Sequence, residues 1–248
     1  MTDDDPLIAK IVAAWSGCTL PVGPRSRPGT AFFYNELVES TPDGDTVREW
    51  LVTADRLSRP ELGEIRLRPE IIEPAGAASA YLAVRDFAGM WQRHKGVAVT
   101  RTFFLHDHAE RKGWAWSAEQ VTDGLAAKAE HVKAVDGEPR GALALGHIAR
   151  EPGEPGEPRP LAAANATLAR DPDRVIRWQG WLPAGFAGAP VFVLEARGPE
   201  VVLRCLGALA TAGNSPAVLT FDVIRALIAA TVRPKPPKRG WLRFGGKS

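Results

Sequence analysis

Short runs of apolar residues, separated by turn-forming residues, recur through most of this chain. Runs rich in β-branched and aromatic residues predict strands. They cover residues 30–34, 49–53, 64–68, 81–85, 97–105, 142–150, 174–180, 190–195 and 201–209. The sequence Thr41-Pro-Asp-Gly44 predicts a tight turn between the first two of these strands. Many short strands at this spacing are typical of an all-β barrel protein.

Helical spacing of apolar residues is found mainly near the two ends of the chain. Residues 6–15 (PLIAKIVAAW) predict an N-terminal helix, and the later part of 215–232 predicts a C-terminal one. Pro234 ends that second helix, because proline cannot continue a helix. Between them, residues 87–94 predict a helical turn joining two halves, and the Ala, Glu and Lys content of 111–135 favours helix.

These elements predict one domain of two antiparallel β-barrels that is closed by a C-terminal helix. A length of 248 residues suits a single all-β domain. We expect five segments: a helix and lead-in strand, a first barrel, a second barrel, a closing helix and a basic, disordered tail. Their expected ranges are 1–28, 29–95, 96–214, 216–232 and 233–248.

Charge is spread unevenly along the chain. The formal net charge is only +2, but the tail from Arg233 carries six basic residues and no acidic one. The chain starts with an acidic run instead of the basic start of a signal peptide, and no apolar run approaches the length of a membrane span. We therefore expect a cytoplasmic protein. Its Ala, Arg, Gly and Pro content suggests a bacterial source.

The stretch Trp181–Phe192 (WLPAGFAGAPVF) is the most informative part of the sequence. Small residues surround a sharp turn and a strand begins, which suits a loop whose backbone approaches a ligand closely. It resembles the nucleophile loop of trypsin-like serine proteases, Gly-x-Ser-Gly-Gly-Pro-Val. In that frame Gly185, Phe186, Gly188 and Pro190 keep the loop's form, and Ala187 replaces the serine.

Two further fragments resemble the same family, in its bacterial trypsin-like form. Leu51–Arg56 (LVTADR) is similar to the family's Leu-Val-Thr-Ala-Ala-His, which places Arg56 at the histidine position. Tyr81–Val84 (YLAV) is similar to its Asp-Leu-Ala-Val, which places Tyr81 at the aspartate position. Asp86 is the nearest displaced acid, and the choice between Tyr81 and Asp86 stays open.

The resemblance implies a trypsin-like protease homologue that has lost its catalytic triad. Acyl transfer in this fold needs a nucleophilic hydroxyl, a base and an acid that orients the base. Alanine at 187 has no nucleophile, and arginine at 56 cannot act as a base because its pKa lies above about 12. We therefore expect a pseudoprotease that acts as a binding or regulatory module for a protein or peptide. Trp178 and Trp181 flank the loop and are candidates to line a cleft.

Two other functions remain open from the sequence. One is an active hydrolase with displaced residues, drawn from Asp86, Ser79 and the histidines His94, His106 and His108. The other is an adaptor whose basic tail binds an anionic partner. His106 and His108 are expected on one face of a strand, but no third ligand at convincing spacing supports a metal site. We expect no metal and no cofactor.

Overall fold

The computed structural model describes residues 6–24, 26–136, 139–148, 159–197 and 200–232. Within these ranges its α-helices are α1 Pro6–Trp15, α2 Phe87–Met90, α3 Phe103–Lys112, α4 Ala129–Lys133 and α5 Phe221–Val232. Its strands are β1 Thr19–Val22, β2 Gly29–Thr41, β3 Gly44–Ala54, β4 Gly63–Arg66, β5 Ile72–Glu73, β6 Tyr81–Val84, β7 Gln92–His94, β8 Val97–Arg101, β9 Ala115–Trp116, β10 Val121–Thr122, β11 Arg140–His147, β12 Leu161–Arg170, β13 Ile176–Gln179, β14 Trp181–Leu182, β15 Pro190–Arg197, β16 Glu200–Leu209, β17 Gly213–Asn214 and β18 Val218–Thr220. Short 3-10 turns cover Ser16–Cys18, Asp55–Leu57, Pro69–Ile71 and Ala134–Asp136.

The first sheet curls into a half-barrel. Its strand order is β6-β4-β1-β2-β3-β8-β7, and β10 adds a parallel pairing to β2. The two edge strands, β6 and β7, follow each other in the chain and are joined through α2. The interior is filled by apolar side chains such as Leu20, Phe33, Leu51 and Ile65.

The second sheet closes almost completely into a barrel. Its order is β13-β12-β11-β15-β16-β18. An isolated bridge from Arg177 to Ala217 links the first of these strands to the chain just before the last. Its core includes Trp178, Phe186 and Leu206.

A third apolar cluster lies between the two barrels, and strand β2 shows how one strand serves two cores. Ala31 and Phe33 point into the first barrel, while Phe32 and Tyr34 point into the cluster shared with the second barrel and α5. The Phe32 and Tyr34 rings lie 6.3 and 5.0 Å from the ring of Phe221 in α5. Alternate side chains of a strand face opposite ways, so this part of β2 contributes to both cores. Since both of its faces are buried, its sequence is a continuous apolar run.

The predicted fold class, all-β with two antiparallel barrels and a C-terminal helix, is confirmed. The predicted turn is also found, since Thr41 pairs with Gly44 at the tip of the β2–β3 hairpin. The boundary between the barrels differs from the expected one: Val97–Arg101, which we expected in the second barrel, is the strand of the first sheet that pairs with β3.

Two predicted elements differ in type or length. The strand predicted over 97–105 ends at Arg101, and helix α3 begins at Phe103, so the aromatic residues there belong partly to a helix. The helix favoured over 111–135 is replaced by the end of α3, short strands and the five-residue α4. Gly113, at φ +75°, ends α3 in the left-handed conformation that glycine adopts without strain.

The predicted disordered tail, 233–248, lies outside the described residues. No described helix is long and apolar enough to cross a membrane.

Candidate functional site

The loop that resembles a nucleophile loop packs directly between the two barrels. Gly185 and Gly188 have φ values of +110° and +80°. A Cβ atom on Gly185 would lie 2.0 Å from the carbonyl oxygen of His147, and one on Gly188 would lie 2.1 Å from that of Thr30. Only glycine fits both the conformation and the space at these two positions.

Thr30, at the start of β2, ties this loop to both barrels. Its N–H donates to the Ala187 carbonyl at 2.8 Å, and its hydroxyl donates to the Gly185 carbonyl at 2.8 Å. The same hydroxyl accepts the N–H of His147 at 3.0 Å, and the Thr30 carbonyl accepts the hydroxyl of Thr53 at 2.7 Å. One buried residue therefore joins strands of the first barrel, the loop and the second barrel.

Neighbouring side chains of the loop enter different cores. Phe186 packs in the second barrel, where its ring lies against the backbone of Gly146. The methyl group of Ala187 packs in the first barrel with Ala54 and Leu57, and Ala187 has no exposed surface. The loop thus works as a staple, and its apex does not open to solvent.

The backbone N–H groups of the loop differ in their hydrogen bonding. The N–H of Gly188 donates to the Leu209 carbonyl at 2.7 Å, while Pro190 begins β15. Among the described residues, no hydrogen bond is donated by the N–H of Gly185 or Ala187. These are the two donors that an acyl-transfer enzyme would aim at a developing oxyanion. Here the complete burial of Ala187 separates them from a ligand.

Arg56 lies where the sequence frame placed it, in the 3-10 turn that follows β3. The residue before it, Asp55, donates its N–H to the Gly96 carbonyl at 2.7 Å. Partial desolvation, and then the positive charge of Arg27, lower the pKa of Arg56. A guanidinium starts from a value above about 12, so Arg56 remains charged and cannot take a proton from a nucleophile.

Tyr81 does not occupy the acid position beside Arg56, which corrects the assignment made from the sequence. Tyr81 lies on edge strand β6, opposite Arg66, and is 49% exposed. The strand that pairs with β3 is β8, and Gly96 directly precedes it. An acid must contact the base that it orients, so the relevant position is Gly96, where no side chain exists.

Asp86, the displaced acid considered as an alternative, caps the beginning of α2 with φ +51°. Gly89 packs so close to its carboxylate that a Cβ there would lie 2.5 Å from an Asp86 oxygen. Asp86 therefore lies at the N-terminus of a short helix, where its backbone carbonyl accepts the N–H of Gly89 at 3.0 Å. A signal for Gly96 did exist in the sequence, because Gly96–Val99 (GVAV) fits the Asp-Leu-Ala-Val frame with glycine for aspartate.

The other candidate catalytic side chains are dispersed. Ser79 Oγ lies 3.3 Å from the Tyr81 carbonyl, and His106 Nε2 lies 2.7 Å from a carboxylate oxygen of Glu49. His106 and His108 stand on helix α3 instead of a strand, so two residues apart they face nearly opposite sides. His94 lies on β7. No serine–histidine hydrogen bond occurs among the described residues, and no three of their His, Cys, Asp or Glu side chains are grouped to hold a metal.

The two tryptophans proposed to line a cleft lie in different environments. Trp178 is 1% exposed in the second barrel core, and Trp181 is 65% exposed on the surface. The prediction that these two tryptophans line one cleft is therefore wrong. Trp178 alternates with the outward residues of β13, which explains its burial.

A buried hydroxyl–imidazole pair was not foreseen from the sequence. Thr19 Oγ1 lies 2.9 Å from His147 Nε2, and His147 Nδ1 lies 3.2 Å from the Arg159 carbonyl. That carbonyl can only accept, so Nδ1 carries the proton and Nε2 accepts from the threonine. Burial, and then the charge of Arg68, lower the pKa of His147 to about 3. Both members of the pair are wholly buried, so no substrate reaches the threonine hydroxyl.

Comparison with known proteins gives similarity at the level of solved structures alone. No sequence profile of a known family matches the chain, and no curated protein matches it. A thermostable serine protease, AL20, from an extremophilic microorganism is 14% identical, with a TM-score of 0.41 over 88% of this chain and 99% of that one. Catalytically inactive tobacco etch virus protease, complexed with substrate, is 9% identical, with a TM-score of 0.45 over 90% of this chain and 87% of that one.

A third similar structure is the inactive form of Rv3671c from M. tuberculosis H37Rv, which carries a serine-to-alanine substitution. It is 14% identical, with a TM-score of 0.41 over 95% of this chain and 98% of that one. The similarity of this chain to the three proteins is a similarity of structure at low sequence identity. The assignment of its architecture rests on the strand order and pairings described above.

Proposed function

We propose that this chain is a catalytically inactive homologue of trypsin-like serine proteases that acts as a binding module. The proposal is supported by three positions that converge in the fold through backbone contacts. Arg56 follows β3, Gly96 contacts the residue before it, and Ala187 hydrogen-bonds to Thr30 beside the end of β3. The side chains of Arg56 and Ala187 and the hydrogen of Gly96 supply no nucleophile, no base and no orienting acid.

The burial of Ala187 is the observation that carries this proposal. A nucleophile must reach a substrate carbonyl, whereas the Ala187 methyl group is packed among the first barrel's apolar side chains. Removing the nucleophile or the base of such a triad costs on the order of 10⁶-fold in kcat. The loop has kept its shape for a mechanical reason, since it joins the barrels, and its chemistry is lost.

A fluorophosphonate probe, which forms a covalent bond with activated serines, tests the loss of catalysis. Intact-mass spectrometry should detect no adduct on the wild-type chain after prolonged incubation. Casein or peptide hydrolysis should not exceed the rate of the buffer control. Active trypsin in the same mixture is the positive control.

Labelling of one particular serine in the wild-type chain would overturn the proposal and favour a displaced catalytic site. Ser79→Ala and Ser58→Ala are the matched variants for locating such an adduct. Ser79 is exposed, whereas the Ser58 hydroxyl is occupied by Asp55 and Arg93. Unspecific labelling spread over many serines counts as background, because it persists in both variants and after denaturation.

A further inference from the structure

A pocket of about 220 Å³ lies where the two barrels meet. Arg66 and Arg68 from one segment and Arg159 from another line it, and Glu70 is the acidic residue among its lining side chains. The remaining lining residues are apolar: Pro21, Leu67, Pro69, Ala80, Pro160 and Leu161. The pocket is therefore lined mainly by basic and apolar side chains.

Arg66 is the most informative of the three arginines. Its side chain is only 9% exposed, and its Nε lies 2.6 Å from a Glu64 carboxylate oxygen. Its buried Nη1 has no hydrogen-bond partner among the described residues. A buried guanidinium nitrogen without an acceptor is unfavourable, and an anion bound against it would remove that cost.

Arg68 and Arg159 are held in place by backbone carbonyls. Arg159 is 2% exposed and donates from Nη1 to the Val22 carbonyl at 3.0 Å. Arg68 is 12% exposed and donates from Nη1 to the carbonyls of Ser16 and Thr19. These carbonyl contacts fix the positions of both guanidiniums at the pocket.

The nearby acidic groups limit which anion fits. Glu64 lies 2.6 Å from Arg66 and 4.0 Å from Arg159, and Glu70 lies 3.6 Å from Arg68. These two carboxylates repel a doubly charged phosphate more strongly than a singly charged carboxylate. His147 adds no charge near neutral pH, because burial lowers its pKa to about 3. The balance favours a singly charged ligand.

We infer that this pocket binds a carboxylate carried on an apolar body, such as the C-terminal residue of a peptide or a small free carboxylic acid. Arginine pairs with carboxylate through two parallel hydrogen bonds, and the six apolar residues would receive the body of the ligand. The volume is below the roughly 300–1,000 Å³ of pockets for drug-sized ligands, which suits one amino-acid residue. This binding site does not depend on the chemistry of the Ala187 loop.

Isothermal titration calorimetry with N-acetylphenylalanine tests the inference, with its uncharged amide as the matched ligand. The two compounds differ only in the carboxylate. We expect the acid to bind the intact chain at least about tenfold more tightly than the amide. Hexanoate is the second arm: equal affinity indicates a free aliphatic acid, whereas weaker binding indicates a peptide terminus.

Three variants locate the binding. Arg66→Met should weaken binding of the acid by at least about tenfold, since it removes the charge and keeps an apolar stem. Ala80→Trp should abolish binding by filling the pocket while leaving all three arginines intact. Arg48→Met is the control, because Arg48 is a partly buried arginine paired with Glu36 at 3.1 Å on the β2–β3 hairpin. It should bind within about twofold of wild type.

Three results would overturn the inference. The first is equal binding of the acid and the amide, and the second is unchanged binding in both Arg66→Met and Ala80→Trp. The third is tighter binding of inorganic phosphate than of every carboxylate, which would identify a phosphate site. Circular dichroism and thermal melting establish that each variant is folded, and Ala80→Trp decides the matter if Arg66→Met is not.

Discussion

The loop Gly185–Pro190 and the arginine-lined pocket are two inter-barrel regions with opposite properties. The loop resembles a nucleophile loop in sequence, yet its apex is wholly buried and the carbonyls of Gly185 and Ala187 accept hydrogen bonds from Thr30. The pocket matches no catalytic motif, yet it is open and contains a buried guanidinium nitrogen without a hydrogen-bond partner. A loop can resemble a catalytic motif because its shape supports the fold. A buried polar atom without a hydrogen-bond partner points instead to a place where a ligand fits.

Gly188→Ala should have the largest effect on the loop. A Cβ at this position would meet the Thr30 carbonyl at 2.1 Å and the Thr53 hydroxyl at 2.4 Å. We expect a loss of about 4 kcal/mol in the free energy of unfolding, measured with urea. Gly113→Ala is the control, since Gly113 has nearly the same φ and nothing within 4 Å of the added atom. Gly113→Ala should lower the free energy of unfolding by about 1 kcal/mol. Equal losses in the two variants would show that the close contact of Gly188 with Thr30 does not stabilise the loop.

Thr30→Val should have the next largest effect. The change conserves volume but removes the hydroxyl that donates to Gly185 and accepts from His147. Leaving a buried donor and a buried acceptor unpaired should lower the free energy of unfolding by about 3 kcal/mol. Thr41→Val, at the exposed hairpin tip, should change it by less than about 0.5 kcal/mol. A small effect at Thr30 would mean that the loop does not depend on it.

The buried His147 should make the interface between the barrels sensitive to acid. Its pKa is about 3 in the folded chain, below the ordinary value of 6.5. The unfolded chain therefore binds the proton first, so the stability is present above about pH 6.5 and decreases as the pH falls toward 3. Between pH 7 and 4.5 we expect His147 to account for a loss of about 2.5 kcal/mol.

His147→Gln should make the pH dependence shallower by that amount, whatever its stability at pH 7. Urea unfolding at pH 7 and 4.5 gives the two values for each protein. An equal loss in wild type and variant would show that other groups cause the acid sensitivity.

Glu64→Gln should have the smallest effect and sharpen the comparison at the pocket. Glu64 lies close to Arg66 and Arg159, so removing its charge leaves both guanidiniums more available to a ligand carboxylate. We expect N-acetylphenylalanine to bind about fivefold more tightly, with a stability loss of about 1 kcal/mol. Glu36→Gln is the control, because Glu36 pairs with Arg48 at 3.1 Å and does not line the pocket, and it should change the affinity by less than about twofold.

Much of the fold follows from local pattern. The alternation in β2, the turn at Thr41–Gly44 and the frame Leu51–Arg56 each place a strand or a turn without reference to distant residues. Strand β12 escaped notice because it is rich in alanine, which carries little strand preference. The first residues of helix α3 favour a strand locally because they are aromatic.

The site was harder to predict because its parts meet only through long-range packing. Only the pairing of β8 with β3 places Gly96 next to the turn that contains Arg56. In the sequence alone, Tyr81 fits the aspartate position because it begins a similar four-residue run. The pocket unites Arg66 and Arg68 with Arg159, more than 90 residues later in the chain. Nothing in the local sequence indicates that these guanidiniums share a cavity.

Hydrogen exchange at the amides of Thr30 and Gly188 tests most directly whether the loop is a closed staple. These amides donate to Ala187 and Leu209, so they report opening of the loop. The account predicts opening free energies within about 1 kcal/mol of those of the slowest β3 amides, which means exchange only by global unfolding. Much faster exchange at both amides, while β3 stays protected, would show that the loop opens by itself and would contradict the account.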